Sequence, residues 1–178
     1  MSPTRPEREE DSGHAPGEPV RAPALQRATV VAGPAEVEAR IDLHLSQCRR
    51  RRGVMALLCV SVESIARLAG AVSPKLEQRV REEVSNRIGN AVRGSDAILR
   101  ESERDACVIL PGADAAVAAR VRARLERLLQ GDYRMPGELL QVRVRIGAAA
   151  HPQDGARAQD LLRRAGERQC RELEGRWS

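Results

Sequence analysis

The carboxylates Glu101, Glu103 and Asp105 stand at alternate positions within VRGSDAILRESERDACVILPG, residues 92–112. A cluster of this kind is either a solvated tip or a contact for a partner's arginines. The apolar runs on either side, Ala97-Ile98-Leu99 and Ala106-Cys107-Val108-Ile109-Leu110, read as two strands of a hairpin. A tight hairpin needs positive φ at its centre and so favours Gly, Asn or Asp there, yet Ser102-Glu103-Arg104 contains no glycine. Other chemistry-bearing residues are scattered. Cys48, Cys59, Cys107 and Cys170 form no Cys-x-x-Cys pair, which argues against a metal site or a disulfide framework. Cys59 and Cys107 sit inside apolar runs and read as reduced core residues. His14, His44 and His151 are too dispersed to suggest a metal cluster. Arg49–Arg52 form a cationic run that suits a solvated helix end, although such a run can also touch nucleic acid or acidic lipid.

The elements that position these residues must be built with almost no aromatic side chains. The 178-residue chain is 42% hydrophobic but only 1% aromatic, with no Phe, so its core is made of Val, Leu, Ile and Ala. Its length suits one domain and a tail. The formal charge is +5 with a pI near 9.6, and Lys75 is the only lysine among the basic residues. Arginine is the residue that grips phosphates and guanine edges through its planar fork. No apolar run approaches the ~18 residues of a membrane span, and the N-terminus lacks the apolar stretch of a secretory signal. The expected location is the cytoplasm.

Residues 1–24 are rich in Pro, Glu, Arg, Gly and Ser and read as a disordered tail. A domain is expected over residues 25–174, with a short tail at 175–178. From Pro34, the residues Val37, Ile41, Leu43 and Leu45 suit one helix face, closed by Arg49–Arg52 and stopped by Gly53. Val54–Val62 is nearly continuous in apolar residues, as for a strand buried on both faces. A long helix starts near Ser73 with Pro74 in its first turn and Leu76, Val80, Val84, Ile88 and Val92 inward. After the hairpin, Pro111-Gly112 breaks the chain, Asp114 can cap, and Ala115–Leu129 is helical up to Gly131. Leu139–Ala150 alternates as a strand, and a last helix is expected from Ala156 to Leu173. The order α, β, α, β, β, α, β, α, with a split β-α-β unit around an antiparallel hairpin, predicts an α/β (α+β) fold. Its form is a ferredoxin-like, palm-type domain with an antiparallel or mixed central sheet flanked by helices.

Over residues 35–173 this series resembles the GGDEF, or diguanylate cyclase, family. The resemblance rests on LLCVSVE, RGSDAILR, CVILPG, VRVRIGAAAHPQDG and LLRRAGER in that order, without a gap from Leu57 through the helix after Pro111. Family members carry a strand ending in Asp-x-Asp, a glycine-rich Gly-Gly-Asp/Glu-Glu-Phe hairpin that approaches GTP, and carboxylates that hold two divalent cations. Here the five signature positions fall on Ser102, Glu103, Arg104, Asp105 and Ala106. The first strand carboxylate falls on Ser61, and only the second acidic position is kept, as Glu63. The guanine-reading positions fall on Ala69 and Gln78, and the phosphate-contacting lysines on Ala66 and Leu173. Hard cations need carboxylate oxygens, and condensing two GTP molecules needs metal. The resemblance therefore implies a degenerate cyclase site, no catalysis, no cofactor and no bound metal.

One family feature is kept in register. The product-binding Arg-x-x-Asp motif lies five residues before the signature hairpin, and Arg93-Gly94-Ser95-Asp96 holds that place. A second family arginine falls on Arg124, with Arg120 one helical turn before it. Guanine offers O6 and N7 to an arginine fork, and N1–H and N2–H to a carboxylate, so Arg93, Asp96, Arg124 and Arg120 could bind cyclic di-GMP. The same residues also admit a plainer reading. Arg93 closes a helix, Asp96 pairs with it at the surface, and Arg124 is one more solvated cation.

The expected function is a noncatalytic cyclic di-GMP receptor that signals through a protein partner or through a ligand-bridged homodimer. The alternative is a protein-interaction scaffold that binds no nucleotide. Nucleic acid is a poor partner because Tyr133 and Trp177 are too far apart in sequence to make a stacking platform.

Overall fold

The computed structural model describes residues 28–31, 33–67, 70–100 and 105–171. The tails expected at 1–24 and 175–178 lie outside the described residues, as do Ala69, Ser102, Glu103, Arg104 and Leu173. The chain runs β1 (Ala28–Val30), α1 (Pro34–Arg50), β2 (Met55–Arg67), α2 (Pro74–Ala91), β3 (Ala97–Arg100) and β4 (Asp105–Pro111). It continues through α3 (Ala115–Leu129), β5 (Gly131–Met135), β6 (Glu138–His151) and α4 (Ala158–Arg171). The strands form one sheet in the order β1-β3-β4-β2-β6-β5. Only β1, which runs parallel to β3, departs from the antiparallel pattern.

The sheet is covered by helices on both faces because its central strand is apolar at successive positions. Ala56, Leu58 and Val60 of β2 pack with Val80, Val84 and Ile88 of α2 and Leu125 and Leu129 of α3. Met55 and Leu57, pointing the other way, pack with Ile41 and Leu45 of α1 and Leu161 and Ala165 of α4. Every expected inward residue of α2 from Val80 to Val92 is buried, and Leu76 packs against the same cluster. Ser73 caps α2 by accepting the Leu76 N–H, and Asp114 caps α3 by accepting that of Val117 at 2.8 Å.

Several expectations need correction. Leu43 is 50% exposed. Two residues after Ile41 and two before Leu45, it is turned about 200° from each on a 3.6-residue helix, so it cannot share their face. The left-handed residue ending α1 is Arg52, with φ 49°, rather than Gly53. The N–H of Gly53 closes the turn onto the Cys48 carbonyl at 3.0 Å. Strands β1 and β5 were not foreseen. β1 is three residues long, and β5 (GDYRM) is mostly exposed with a single buried residue, Tyr133. The tyrosine hydroxyl donates to the Leu129 carbonyl at 2.9 Å, and the Arg87 guanidinium lies 3.8 Å from its ring centroid.

The hairpin pairs Ala97 with Ile109 and ends at Arg100 opposite Ala106. The glycine-free tip read at Ser102–Arg104 lies outside the described residues.

Candidate functional site

The end of α2, the start of β3's loop and the inner face of α3 enclose a cleft of about 510 Å³. Arg93, Asp96, Arg120 and Arg124 all line it, together with Arg127, and Leu110 and Val117 contribute apolar wall. The volume lies within the ~300–1,000 Å³ usual for small-molecule sites. Asp96 is not paired with the Arg93 side chain. Its Oδ2 accepts the Arg93 backbone N–H at 2.7 Å, and its own N–H donates to the Arg93 carbonyl at 3.1 Å. This closed turn fixes the carboxylate at the cleft wall. Among the described residues the guanidinium groups of Arg93 and Arg120 have no hydrogen-bond or ion-pair partner, whereas Arg124 donates through Nη2 to the Ala91 carbonyl at 2.5 Å. That bond satisfies one of the terminal carbonyls of α2 and ties α3 to the loop that follows. The cleft thus presents four guanidinium groups around one carboxylate. It can take up an anion that also offers paired N–H donors.

A second cluster lies at the far end of β2. The pairing with β6 shifts between Val62 and Ser64, so Glu63 is the extra residue of a bulge. Its Oε1 meets Nη2 of Arg145 at 2.5 Å. The Glu63 hydrogen bond is the larger cause that raises the Arg145 pKa above its ordinary value. Ser61 lies between Asp105 on β4 and Arg145 on β6, and its Oγ accepts from Gln169 Nε2 at 3.3 Å. The same Gln169 amide reaches the carbonyls of Cys59 and Arg145.

The family description "Diguanylate cyclase, GGDEF domain" matches residues 28–174. The chain belongs to the GGDEF domain family. Among curated proteins, this GGDEF domain is 24% identical over 123 residues to the cyclic di-GMP phosphodiesterase NbdA of Pseudomonas aeruginosa. The match takes in 69% of this chain but spans only 16% of that relative's length. Among solved structures, the GGDEF domain of TpbB (YfiN) from Pseudomonas aeruginosa superposes with a TM-score of 0.67 at 21% identity, covering 82% of this chain and 86% of that one. The GGDEF domain of DgcB from Caulobacter crescentus, solved in complex with c-di-GMP, superposes with a TM-score of 0.60 at 14% identity, covering 82% and 84%. These likenesses establish the α+β palm-type fold.

Within this GGDEF domain the residues expected at the product-type site come together: Arg93, Asp96, Arg120 and Arg124 share one cleft. The positions matched to the substrate site are more dispersed. Ala66 is exposed near the end of β2, and Gln78 on α2 donates to Glu82 at 3.3 Å. Ala106 sits in the β4 ladder opposite Val60, and Asp105 opposite Ser61. Among the described residues no group of three His, Cys, Asp or Glu side chains could hold a metal ion. Among the described residues Glu63 is spanned by the Arg145 guanidinium, and Asp105 stands opposite Ser61 in the strand ladder. No described helix is long and apolar enough to cross a membrane.

Two site residues escaped the sequence reading. Arg127 lines the cleft three residues after Arg124; Arg120 and Arg124 were grouped at i, i+4, and the i, i+3 spacing on the same helix face would have found Arg127. Arg145 was hidden because its partner Glu63 lies 82 residues away, across a strand pairing and a bulge. The four-arginine run serves packing in part, since Arg49 Nη1 donates to the Ala156 carbonyl at 2.8 Å.

Proposed function

We propose that this GGDEF domain is a noncatalytic receptor for cyclic di-GMP, acting through protein contacts or a ligand-bridged homodimer. The observation that carries the reading is the shared cleft of Arg93, Asp96, Arg120 and Arg124. Asp96 is held by a backbone bond to one oxygen, which leaves acceptor capacity for the N1–H and N2–H of a guanine. The Arg93 and Arg120 forks suit guanine O6 and N7 or a phosphate. The noncatalytic part is supported by Ser61 at the strand carboxylate position, Arg104 at the signature acid, and Glu63 committed to Arg145. Without two metal-bound carboxylates, neither the triphosphate charge nor the attacking hydroxyl has its usual partner.

Calorimetric titration with cyclic di-GMP tests this, with cyclic di-AMP and GTP as controls and Arg93→Ala and Asp96→Ala alongside. Binding at about 1 μM, worth ~8 kcal/mol, is expected for the wild type and is lost in both variants. Incubation with GTP and Mg²⁺ should yield no cyclic di-GMP. No heat with the dinucleotide up to ~100 μM would sink the receptor and leave a scaffold. Product formation from GTP would sink the noncatalytic assignment.

A further inference from the structure

Cys59 and Cys107 are direct partners across the antiparallel β2–β4 pair, and their sulfurs lie 3.8 Å apart. The sequence separates them by 48 positions. Both are half-buried and pack against the cluster under α1 and α4. Directly opposed residues in such a ladder have Cα atoms about 4.5 or 5.5 Å apart. Either spacing lies inside the ~4.4–6.8 Å range that a disulfide accepts. The sulfurs need only close by roughly 1.8 Å to reach bonding distance, which rotation about the Cα–Cβ bonds supplies without moving a strand. The other cysteines are placed differently. Cys48 lies on α1, where burial raises its pKa, and Cys170 is exposed on α4.

We propose that Cys59 and Cys107 form a reversible oxidation site that a hydroperoxide converts into a β2–β4 disulfide. One thiolate sulfur attacks a peroxide oxygen; an S–O bond forms, the O–O bond breaks, and the departing oxygen takes a proton to leave as water or an alcohol. The second thiolate attacks the resulting sulfenic sulfur. The S–S bond forms, the S–O bond breaks, and hydroxide leaves as water after protonation. The two sulfurs together lose two electrons, and the peroxide gains them. Both cysteines are only half-buried, so a thiol reductant reaches the crosslink and reopens it by exchange. The bond ties the strand bearing Ser61 and Glu63 to β4, which runs on to Leu110 and Pro111 at the cleft wall.

The test is mass spectrometry on the full chain treated with hydrogen peroxide, alkylated and digested with trypsin without reductant. A linked pair of peptides beginning at Gly53 and Asp105, lighter by two hydrogens than their sum, is expected in monomeric protein. Dithiothreitol should separate the peptides, and Cys107→Ser should abolish the link. A Cys48→Ser/Cys170→Ser double variant retains the pair and should link to the same extent, so the result does not depend on how well Cys107→Ser folds. If both thiols are alkylated as fully as in untreated protein, or are oxidised separately to sulfinic acid, the assignment is overturned.

Discussion

At the scale of single residues, the described ion pairs divide by what they hold. Arg163–Glu167 and Arg40–Glu36 are exposed pairs along single helices, where solvent screening leaves them little weight in stability. Asp154 is different: it accepts the Ala150 N–H at 2.8 Å and two bonds from Arg168 at 2.7 and 2.8 Å, while Arg168 also donates to the Ala148 carbonyl. Burial pushes the Asp154 pKa up, but the Arg168 and Ala150 hydrogen bonds outweigh it and the carboxyl stays below its ordinary 3.8. A depressed carboxylate contributes stability that is complete above the unfolded pKa and is lost as pH falls through the folded one. The urea midpoint should therefore drop as pH falls below about 3.8, and Arg168→Met should shrink the drop. At neutral pH the same substitution is expected to cost about 1–2 kcal/mol. An equal acid slope in both proteins would show that Asp154 does not couple to folding.

At the scale of elements, the closest fit is between α4 and β6. Gly147 is the β6 partner of Cys59, and a Cβ built there would lie 1.8 Å from the Ala165 carbonyl oxygen of α4. Its backbone is not left-handed, so the demand is for space alone. The glycine lets the helix lie on the strand, and Gln169 reaches through to the β2 and β6 carbonyls one turn further on. Gly147→Ala must push α4 outward and is expected to destabilise by at least about 2 kcal/mol, measured by chemical denaturation. A change under about 0.5 kcal/mol would mean that α4 shifts freely. The N-terminus of α4 is held independently, because the Ala158 N–H donates to Asp42 of α1 at 3.1 Å.

At the scale of the whole molecule, the cleft is open at the surface and built mainly from exposed arginines of α3 and the α2–β3 loop. A bound dinucleotide would leave charge and base faces toward solvent, where a second copy can cover them. Cyclic di-GMP should therefore raise the sedimentation coefficient from monomer to dimer in wild-type protein and leave Asp96→Ala unchanged. Dimerisation of wild type and variant alike, with or without ligand, would separate self-association from the cleft.

The sequence by itself determined the layering and most of the elements. The nearly continuous apolar run Val54–Val62 reads as a strand covered on both faces, and the spacing of Val80, Val84 and Ile88 reads as one helix face. Arg93, Asp96 and Arg124 were legible because the family register places them and a helix-to-strand turn keeps Arg93 and Asp96 together. Long-range pairing was not legible, since no local pattern encodes which distant residues a ladder sets side by side. Strands β1 and β5 exist by pairing with neighbours more than by their own composition. The Glu63–Arg145 pair depends on a bulge, the Cys59–Cys107 contact on a register, and the seat of α4 on the absence of one Cβ at Gly147. Each is set by backbone hydrogen bonding between strands or by packing across the sheet, and only tertiary structure decides those.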